Sequence, residues 1–207
     1  MIGFIKINLR DMLETMEASE VNDILSEFYC PQNKDVEEFL KNKAVVFSEQ
    51  GIASTHLIFA SYKDSQVLVG YFALASKHFH IDPSGKSVKI SNTLKRRVAK
   101  FATYDRSLGK YIIAAPLIGQ LGKNFNNGCN KLITGDELLK IACDTVKEAQ
   151  RIIGGKFVYL ECEDIPKLVD FYEGNGFYNF GRRELDGDEK SKFDGKYLIQ
   201  MLKYLGR

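Results

Sequence analysis

Cysteine, histidine and long apolar runs are scarce in this 207-residue chain. The four cysteines, Cys30, Cys129, Cys143 and Cys162, include no C-x-x-C pair, and no histidine lies beside them at the spacing of metal ligands. A structural zinc site or a disulfide scaffold needs paired or clustered cysteines, so the sequence argues against both. We therefore expect reduced, mostly buried thiols and no bound metal.

The longest apolar run, around residues 67–75, is the length of a strand. It falls well short of the roughly 20 apolar residues that a membrane-spanning helix needs. The N-terminal sequence MIGFIKINLRD carries a charge at Lys6 and lacks the apolar core of a signal peptide. Hydrophobic residues make up 44% and charged residues 27% of the chain, as in ordinary globular proteins. We expect a cytoplasmic protein that does not contact a membrane.

Charge is distributed unevenly, although the formal net charge is only +2. Between residues 77 and 110, nine lysines and arginines stand against two acidic residues, so this basic segment carries +7 and the remainder carries −5. A local field of this size attracts phosphate groups. The alternative is an ordinary solvated helix surface, and for Lys95-Arg96-Arg97 the sequence leaves both open.

Apolar periodicity predicts two helices and a β-hairpin in the N-terminal part. Asn8 resembles an N-cap for a helix that reaches Phe28, and a second helix runs from Val36 to Phe47. After them, the apolar stretches His56–Ser61 and Gln66–Phe79 flank a polar turn, which is the pattern of a hairpin.

The clearest predicted element is a long helix after Thr134. Thr134 with Glu137 three residues later forms a capping box, and Gly154-Gly155 ends the helix. A strand, this helix and a further strand form a crossover, which implies a locally parallel strand pair. The other predicted elements are a helix near Asn92–Phe101, strands at Tyr111–Gln120, Lys156–Glu163, Phe177–Glu184 and Tyr197–Tyr204, and a short helix capped by Asp164.

This order of elements predicts a mixed α/β (α+β) fold, with one central mixed sheet of about six or seven strands flanked by helices. The length allows one large domain or a domain with an extension. We expect residues 1–34 to form an N-terminal strand and helix extension packed on a core domain of residues 35–207.

Two local motifs connect this expectation to a known family. One is the strand sequence LIGQLGK followed by a loop that ends G-D-E-L-L, and the other is FYEGNGF at residues 171–177, where a short helix meets a strand. With the element order, over about residues 35–205, these motifs resemble the GNAT superfamily of acyl-CoA-dependent N-acetyltransferases. The resemblance implies a GNAT-like fold, acetyl-CoA as co-substrate and no metal.

The resemblance implies that backbone amides of the strand end and the following loop hold the pantetheine and pyrophosphate. A helix N-terminus suits phosphate because its first N–H groups lack intrahelical partners. Of the family's phosphate-loop pattern only the final glycine, Gly135, is kept, and Gly128 is expected to allow the close backbone approach instead. The expected coenzyme-binding residues are Leu121, Gly122, Lys123, Gly128, Cys129, Asn130, Lys131, Leu132, Ile133, Thr134 and Gly135.

The resemblance also implies that Tyr172 lies beside the coenzyme sulfur and acts as the catalytic acid. A thiol with a pKa of about 8.5 and a tyrosine with a pKa of about 10 are close enough to share a proton. The alternative is a core aromatic residue stacked on Leu168. A backbone N–H near Leu121–Lys123 is expected to stabilise the oxyanion. The general base stays open among Glu161, Glu163, His78 and His80.

The implied reaction is direct attack of a primary amine on the thioester in a ternary complex. The acceptor stays open among a small molecule, a protein and aminoacyl-tRNA, and a homodimer also stays open. A narrower resemblance, carried by DVEEFLKNKAVVFSEQGIASTHLIFA and IIAAPLIGQLGK, is to the toxin-type GNATs that acetylate the α-amine of aminoacyl-tRNA. The basic segment suits an RNA partner. A third reading is a non-catalytic acyl-CoA-binding or protein-interaction module, because fold does not fix function.

Overall fold

The computed structural model of the chain describes residues 3–82, 91–187, 189–190 and 195–206. Its helices are α1 (Leu9–Thr15), α2 (Ala18–Ser26), α3 (Lys34–Asn42), α4 (Ala44–Glu49), α5 (Asn92–Phe101), α6 (Gly135–Ile153) and α7 (Pro166–Gly174). Its strands are β1 (Phe4–Asn8), β2 (Ser54–Tyr62), β3 (Ser65–Ile81), β4 (Thr103–Asp105), β5 (Lys110–Lys123), β6 (Phe157–Glu163), β7 (Tyr178–Glu184) and β8 (Tyr197–Tyr204).

The strands follow the order β1-β2-β3-β5-β6-β8-β7, and the short β4 pairs with β5. The registered pairs β1–β2, β2–β3, β4–β5, β6–β8 and β7–β8 are antiparallel. The mixed α/β fold predicted from the sequence is therefore confirmed, and β4 adds a strand to the seven on the main path.

The chain divides into two compact units. The first unit comprises Met1–Ala75 and Ile118–Ala142, and the second unit comprises Ser76–Leu117 and Cys143–Arg207. Both β3 and β5 contribute residues to each unit. No helix in the described part of the chain is long and apolar enough to cross a membrane.

The N-terminal helices of the first unit are shorter than predicted. Asn8 does cap α1, since its side chain accepts the N–H of Arg10. The single helix expected up to Phe28 is wrong, because Glu17 and Glu20 form a capping box that starts a new helix, α2. The second predicted helix is likewise two helices, α3 and α4, which meet at Lys43.

The β2–β3 hairpin of the first unit confirms the sequence prediction. Lys63 and Asp64 both have positive φ angles, 49° and 62°, which is the backbone of a tight two-residue hairpin turn. Further along β3, the fully buried Tyr71 donates its hydroxyl to the carbonyl of Val36 and meets the edge of Phe28 at 5.1 Å between ring centroids. These contacts fix the first turn of α3 on the sheet.

The second unit has its own apolar core on β6, β8 and β7. Phe79, Tyr159 and Phe180 pack ring against ring at 4.7 and 4.8 Å, and Leu94 and Val98 of α5 belong to the same cluster. The helix predicted near Asn92–Phe101 is therefore present, with its two apolar residues buried in this core.

Both predicted ends of α6 are confirmed, whereas the predicted cap of α7 is wrong. Thr134 and Glu137 form the capping box, and Gly154 and Gly155 follow the helix with φ of 84° and 95°. Helix α7 has Ile165 as its N-cap, without a side-chain hydrogen bond. Asp164 instead accepts the Tyr197 hydroxyl at 2.6 Å, 33 residues along the chain.

The cysteines are unpaired thiols. Cys30, Cys143 and Cys162 are buried and Cys129 is half-buried. Burial is the main cause that raises the pKa of each thiol, to about 12 for Cys162. A buried neutral thiol is a small apolar side chain rather than a reactive group.

Candidate functional site

The end of β5 is packed tightly against α3. Gly122 is buried, and a Cβ atom there would collide with the Val36 side chain. Across the sheet, a Cβ on Gly70 would lie 2.9 Å from the carbonyl oxygen of Gly122. These two glycines are required by packing, so the backbone of β5 at Leu121–Lys123 is held firmly in the first unit.

The loop after β5 makes a tight turn at residues 126–131. Asn127 and Gly128 both have left-handed backbones, with φ of 50° and 77°. A Cβ on Gly128 would meet no atom within 4 Å, so this glycine is required by its backbone conformation and not by space. The Lys123 ammonium donates to the Asn130 carbonyl at 3.0 Å and holds a positive charge across the turn.

The other coenzyme candidates in this loop differ in exposure. Lys131 and Thr134 are exposed, while Cys129, Asn130, Leu132 and Gly135 are half-buried. Ile133 is only 2% exposed, so its side chain is committed to the core and only its main chain can face a ligand.

The N-terminus of α6 is already engaged by its capping box. The Thr134 hydroxyl accepts the Glu137 N–H at 3.1 Å, and the Thr134 N–H donates to the Glu137 carboxylate at 2.8 Å. The hydroxyl also donates to that carboxylate at 2.8 Å. These hydrogen bonds hold the pKa of Glu137 below its usual range, and the bond from the Thr134 N–H contributes most. A phosphate here would meet an ionised carboxylate, whose charge Lys123 and Lys131 would offset.

Tyr172 lies on α7 of the second unit, in a cluster of aromatic rings. Its ring centroid is 5.0 Å from that of Phe171 and 5.9 Å from that of Phe177, both edge-on. Phe177 N–H donates to the Tyr172 carbonyl at 3.0 Å, and Gly176 has the left-handed backbone, φ 78°, that ends the helix. The short F-Y-E-G-N-G-F sequence thus fixes the tyrosine by packing on both sides.

The Tyr172 hydroxyl has no hydrogen-bond partner among the described residues. Burial, with a smaller contribution from Cys162, raises the pKa of Tyr172 well above that of a free tyrosine. The phenol therefore stays protonated at physiological pH, and it can act as a hydrogen-bond donor.

Glu161 is not available as a general base. Its carboxylate accepts Arg183 at 2.9 Å from Nε and 2.8 Å from Nη2, and it accepts Gln200 at 2.8 Å. Arg183 is bidentate to Glu189 at 2.8 Å. Both carboxylate oxygens therefore already accept charged or polar N–H groups, so a substrate amine would have to displace Arg183 or Gln200 to reach them.

The described part of the basic segment lies in the second unit. Arg96, Arg97 and Lys100 are exposed on α5, and none of them has an ion pair with an acidic residue in the described ranges. Arg97 stacks on the Tyr204 ring, 4.4 Å from its centroid. Lys86 and Lys89 lie outside the described residues. His78 and His80 are exposed, with ring centroids 5.6 Å apart.

All eleven expected coenzyme-binding residues belong to the first unit, whereas Tyr172 belongs to the second. Sequence reasoning missed one residue of the loop, the buried Asn124, which carries more hydrogen bonds than its neighbours. Its only sequence cue is a polar residue directly after an apolar strand.

Comparison with known proteins gives matches in structure alone. No family model matches the chain, and no curated protein matches it. A tyrosine-to-phenylalanine variant of KacT superposes with a TM-score of 0.60 at 15% identity, covering 95% of this chain and 93% of KacT. A tyrosine-to-phenylalanine variant of the toxin AtaT gives 0.58 at 17% identity, covering 95% and 88%.

Two further structures contain a tRNA or a coenzyme. AtaT complexed with acetyl-methionyl-tRNAfMet superposes with a TM-score of 0.58 at 15% identity, covering 95% of this chain and 94% of AtaT. AtaTR bound with AcCoA gives 0.53 at 16% identity, covering 95% and 91%. The chain therefore has the fold of KacT and AtaT over nearly its whole length, and this confirms the GNAT fold that the sequence resemblance implied.

Proposed function

We propose that this protein is an N-acetyltransferase that transfers the acetyl group of acetyl-CoA to a primary amine. The observation that carries the proposal is the fold shared with AtaT over 95% of the chain, because an AtaT structure is bound with AcCoA. Two features of the expected site residues support it. The Tyr172 hydroxyl is a donor without a partner among the described residues, and Lys123 lies beside the left-handed turn before α6.

The coenzyme is bound by Leu121–Lys123 at the end of β5 and by Gly128–Gly135 in the loop that leads into α6. Rigid backbone at the end of β5 supplies N–H groups for the pantetheine and for the oxyanion. The left-handed turn at Asn127-Gly128 and the start of α6 supply N–H groups for the pyrophosphate, and Lys123 supplies positive charge. Because the capping box occupies N–H groups at the start of α6, fewer of them can bind the pyrophosphate than in an uncapped helix. Lysine side chains therefore supply part of the attraction for the pyrophosphate.

The amine nitrogen attacks the thioester carbonyl carbon, and a C–N bond forms as the carbonyl oxygen becomes an oxyanion. The oxyanion is stabilised by a backbone N–H near Leu121–Lys123. When the C–S bond breaks, the sulfur leaves as a thiolate, and the amine loses one proton to solvent. The Tyr172 O–H donates a hydrogen bond to the developing thiolate.

The raised pKa of Tyr172 favours hydrogen-bond donation over complete proton transfer in this reaction. A thiol has a pKa of about 8.5, so complete transfer from a phenol of pKa above 10 is uphill. A donor that is strongest when charge develops on sulfur still lowers the barrier, because it interacts with the transition state more than with the neutral thioester.

The experiment is amine-dependent release of CoA from acetyl-CoA, measured with a thiol reagent over a panel of small amines, peptides and aminoacyl-tRNA. An acetyltransferase releases CoA in proportion to acetylated amine. Binding of acetyl-CoA with no release for any amine would instead identify a non-catalytic binding module.

Aminoacyl-tRNA is the acceptor that a specific observation favours. The exposed side chains of Arg96, Arg97 and Lys100 give α5 a positive surface without acidic partners among the described residues. Such a surface attracts the phosphates of RNA. The AtaT complex with acetyl-methionyl-tRNAfMet supports this choice for a protein of the same fold.

A further inference from the structure

Asn124 is a buried polar residue between β5 and the coenzyme loop. It is 3% exposed, and all of its bonds stay within the first unit. Its N–H donates to the Val69 carbonyl and its side-chain amide donates to the Leu68 carbonyl, each at 2.9 Å. Its side-chain oxygen accepts the N–H groups of Tyr29 and Asn126, each at 3.0 Å.

These bonds join three parts of the first unit. The two carbonyls lie on β3, Tyr29 lies in the connection between α2 and α3, and Asn126 is the first residue of the turn at residues 126–131. The neighbouring Phe125 N–H donates to the Tyr29 carbonyl at 2.7 Å, so this connection is tied to the loop twice. The single oxygen of Asn124 therefore holds both the loop and the N-terminal connection.

We infer that Asn124 is a positioning residue for the coenzyme loop. The residues after Asn126 are the left-handed pair Asn127-Gly128, so the direction of the Asn126 N–H sets the direction of the whole turn. Moving the turn away from its observed position would break the bond from the Asn126 N–H and leave the buried oxygen of Asn124 with the Tyr29 N–H alone. That cost keeps the loop in one conformation before the coenzyme arrives.

This role rests on the proposed function, because it assigns coenzyme binding to the loop. Pre-organisation of a binding loop acts on affinity and leaves the chemical step unchanged. A single hydrogen bond contributes about a two- to tenfold factor, so loss of both amide bonds is expected to raise KM for acetyl-CoA by about four- to a hundredfold. The kcat value is expected to stay near that of the wild type.

Two substitutions separate positioning from general stability. Asn124→Ala removes all three side-chain bonds. Asn124→Asp keeps an oxygen that accepts from Tyr29 and Asn126, but it replaces the donor to Leu68 with a second carboxylate oxygen, so we expect it to lower Tm as well. We expect N124A to raise KM and N124D to keep KM near the wild-type value, even where both lower Tm. Asn124→Ser, whose shorter side chain cannot reach both amides, serves in place of N124A should that variant not fold.

Asn8→Ala is the matched control. Asn8 caps α1 and donates to Ser54 at 3.2 Å, so the same type of substitution disturbs the first unit away from the loop. N8A is expected to lower Tm and to leave KM unchanged. If KM simply follows Tm across these variants, or if N124A and N124S keep the wild-type KM, Asn124 has no positioning role.

Calorimetry with CoA on the wild-type protein separates this inference from the proposed function. Binding to the wild type that weakens in N124A and not in N124D supports the role of Asn124. Equal binding by the wild type and N124A overturns that role alone, and absence of binding to the wild type overturns the proposed function and the role together.

Discussion

Tyr172 is the residue on which the catalytic proposal depends most. Its ring is packed between Phe171 and Phe177, and its hydroxyl has no partner in the described part of the chain. A hydroxyl without a structural hydrogen bond adds little to stability. In the proposed function, this hydroxyl donates to the coenzyme sulfur.

Replacing Tyr172 with phenylalanine is expected to separate activity from stability. Tyr172→Phe keeps both ring contacts, so the free energy of unfolding should change by less than about 1 kcal/mol. Loss of the donor to the leaving thiolate should lower kcat by about a hundredfold or more, with KM for acetyl-CoA nearly unchanged. Tyr178→Phe, at an exposed tyrosine of β7, is the matched control for kcat and Tm. Wild-type turnover by Y172F would show that Tyr172 is only a core residue.

The raised pKa of Tyr172 predicts a stability difference at alkaline pH. The folded-state pKa lies above the unfolded value of about 10, because burial disfavours the phenolate. The corresponding stability is complete below pH 10 and is lost as the pH rises through the folded-state pKa. Thermal unfolding from pH 8 to 11 should therefore show a steeper loss of Tm for the wild type than for Y172F. Parallel curves would contradict the assigned pKa shift.

Single residues also show where sequence reasoning stops. The sequence placed Glu161 on a strand and made it a candidate general base, but Arg183, 22 residues later, donates to its carboxylate. Asn124 was missed because three of its partners come from β3 and from the connection after α2. Contacts between residues far apart in the chain leave no local pattern to read.

At the scale of elements, local signals were reliable and long-range ones were not. The capping box of α6 was predictable because both members lie within four residues, and the glycines after it are equally local. The break before α2 also has a local cause, but glutamate is an uncommon N-cap and gave no clear cue. Asp164 was predicted to cap α7 because it lies just before the helix. Its carboxylate instead accepts a hydrogen bond from the hydroxyl of the distant Tyr197.

The capping box gives a stability prediction for α6. Thr134→Ala removes the oxygen that accepts the Glu137 N–H, so the free energy of unfolding should fall by about 1 kcal/mol in denaturant titration. Thr15→Ala is the control, since that hydroxyl bonds only to carbonyls of its own helix. Equal effects of the two substitutions would show that the cap contributes nothing specific to α6.

The ionisation of Glu137 should make the stability of this cap depend on pH. Its folded-state pKa is below the usual value, so its contribution is present above an unfolded pKa of about 4.3 and is lost as the pH falls through the folded-state value. Glu137→Gln keeps an accepting oxygen at every pH. Between pH 7 and 3, the wild type should therefore lose more Tm than E137Q, and an identical acid dependence would contradict the role of the ionised carboxylate.

At the scale of the whole molecule, charge is separated between one basic segment and the rest of the chain. The segment from 77 to 110 carries +7 while the remainder carries −5, although the formal net charge is only +2. The formal net charge therefore does not indicate that the basic segment is able to attract a polyanion.

Charge reversal on α5 tests whether that surface binds tRNA. Arg96→Glu combined with Lys100→Glu should weaken tRNA binding and make it less dependent on salt, with the slope reduced by about one for each phosphate that the variant no longer neutralises. Arg151→Glu combined with Lys156→Glu changes the net charge equally at exposed positions elsewhere in the second unit. Absence of tRNA binding by the wild type at low salt, or equally weakened binding in both variants, would remove aminoacyl-tRNA as the favoured acceptor.

The activity proposed for the whole protein is transfer of acetyl groups from acetyl-CoA to an amine. Its most direct measurement is mass spectrometry of the amine panel after incubation with acetyl-CoA, with CoA release measured in the same samples. We expect an acetylated amine, CoA in equal amount, and about a hundredfold slower formation of both with Y172F. Acetyl-CoA that stays intact with every amine, aminoacyl-tRNA included, would contradict the claim.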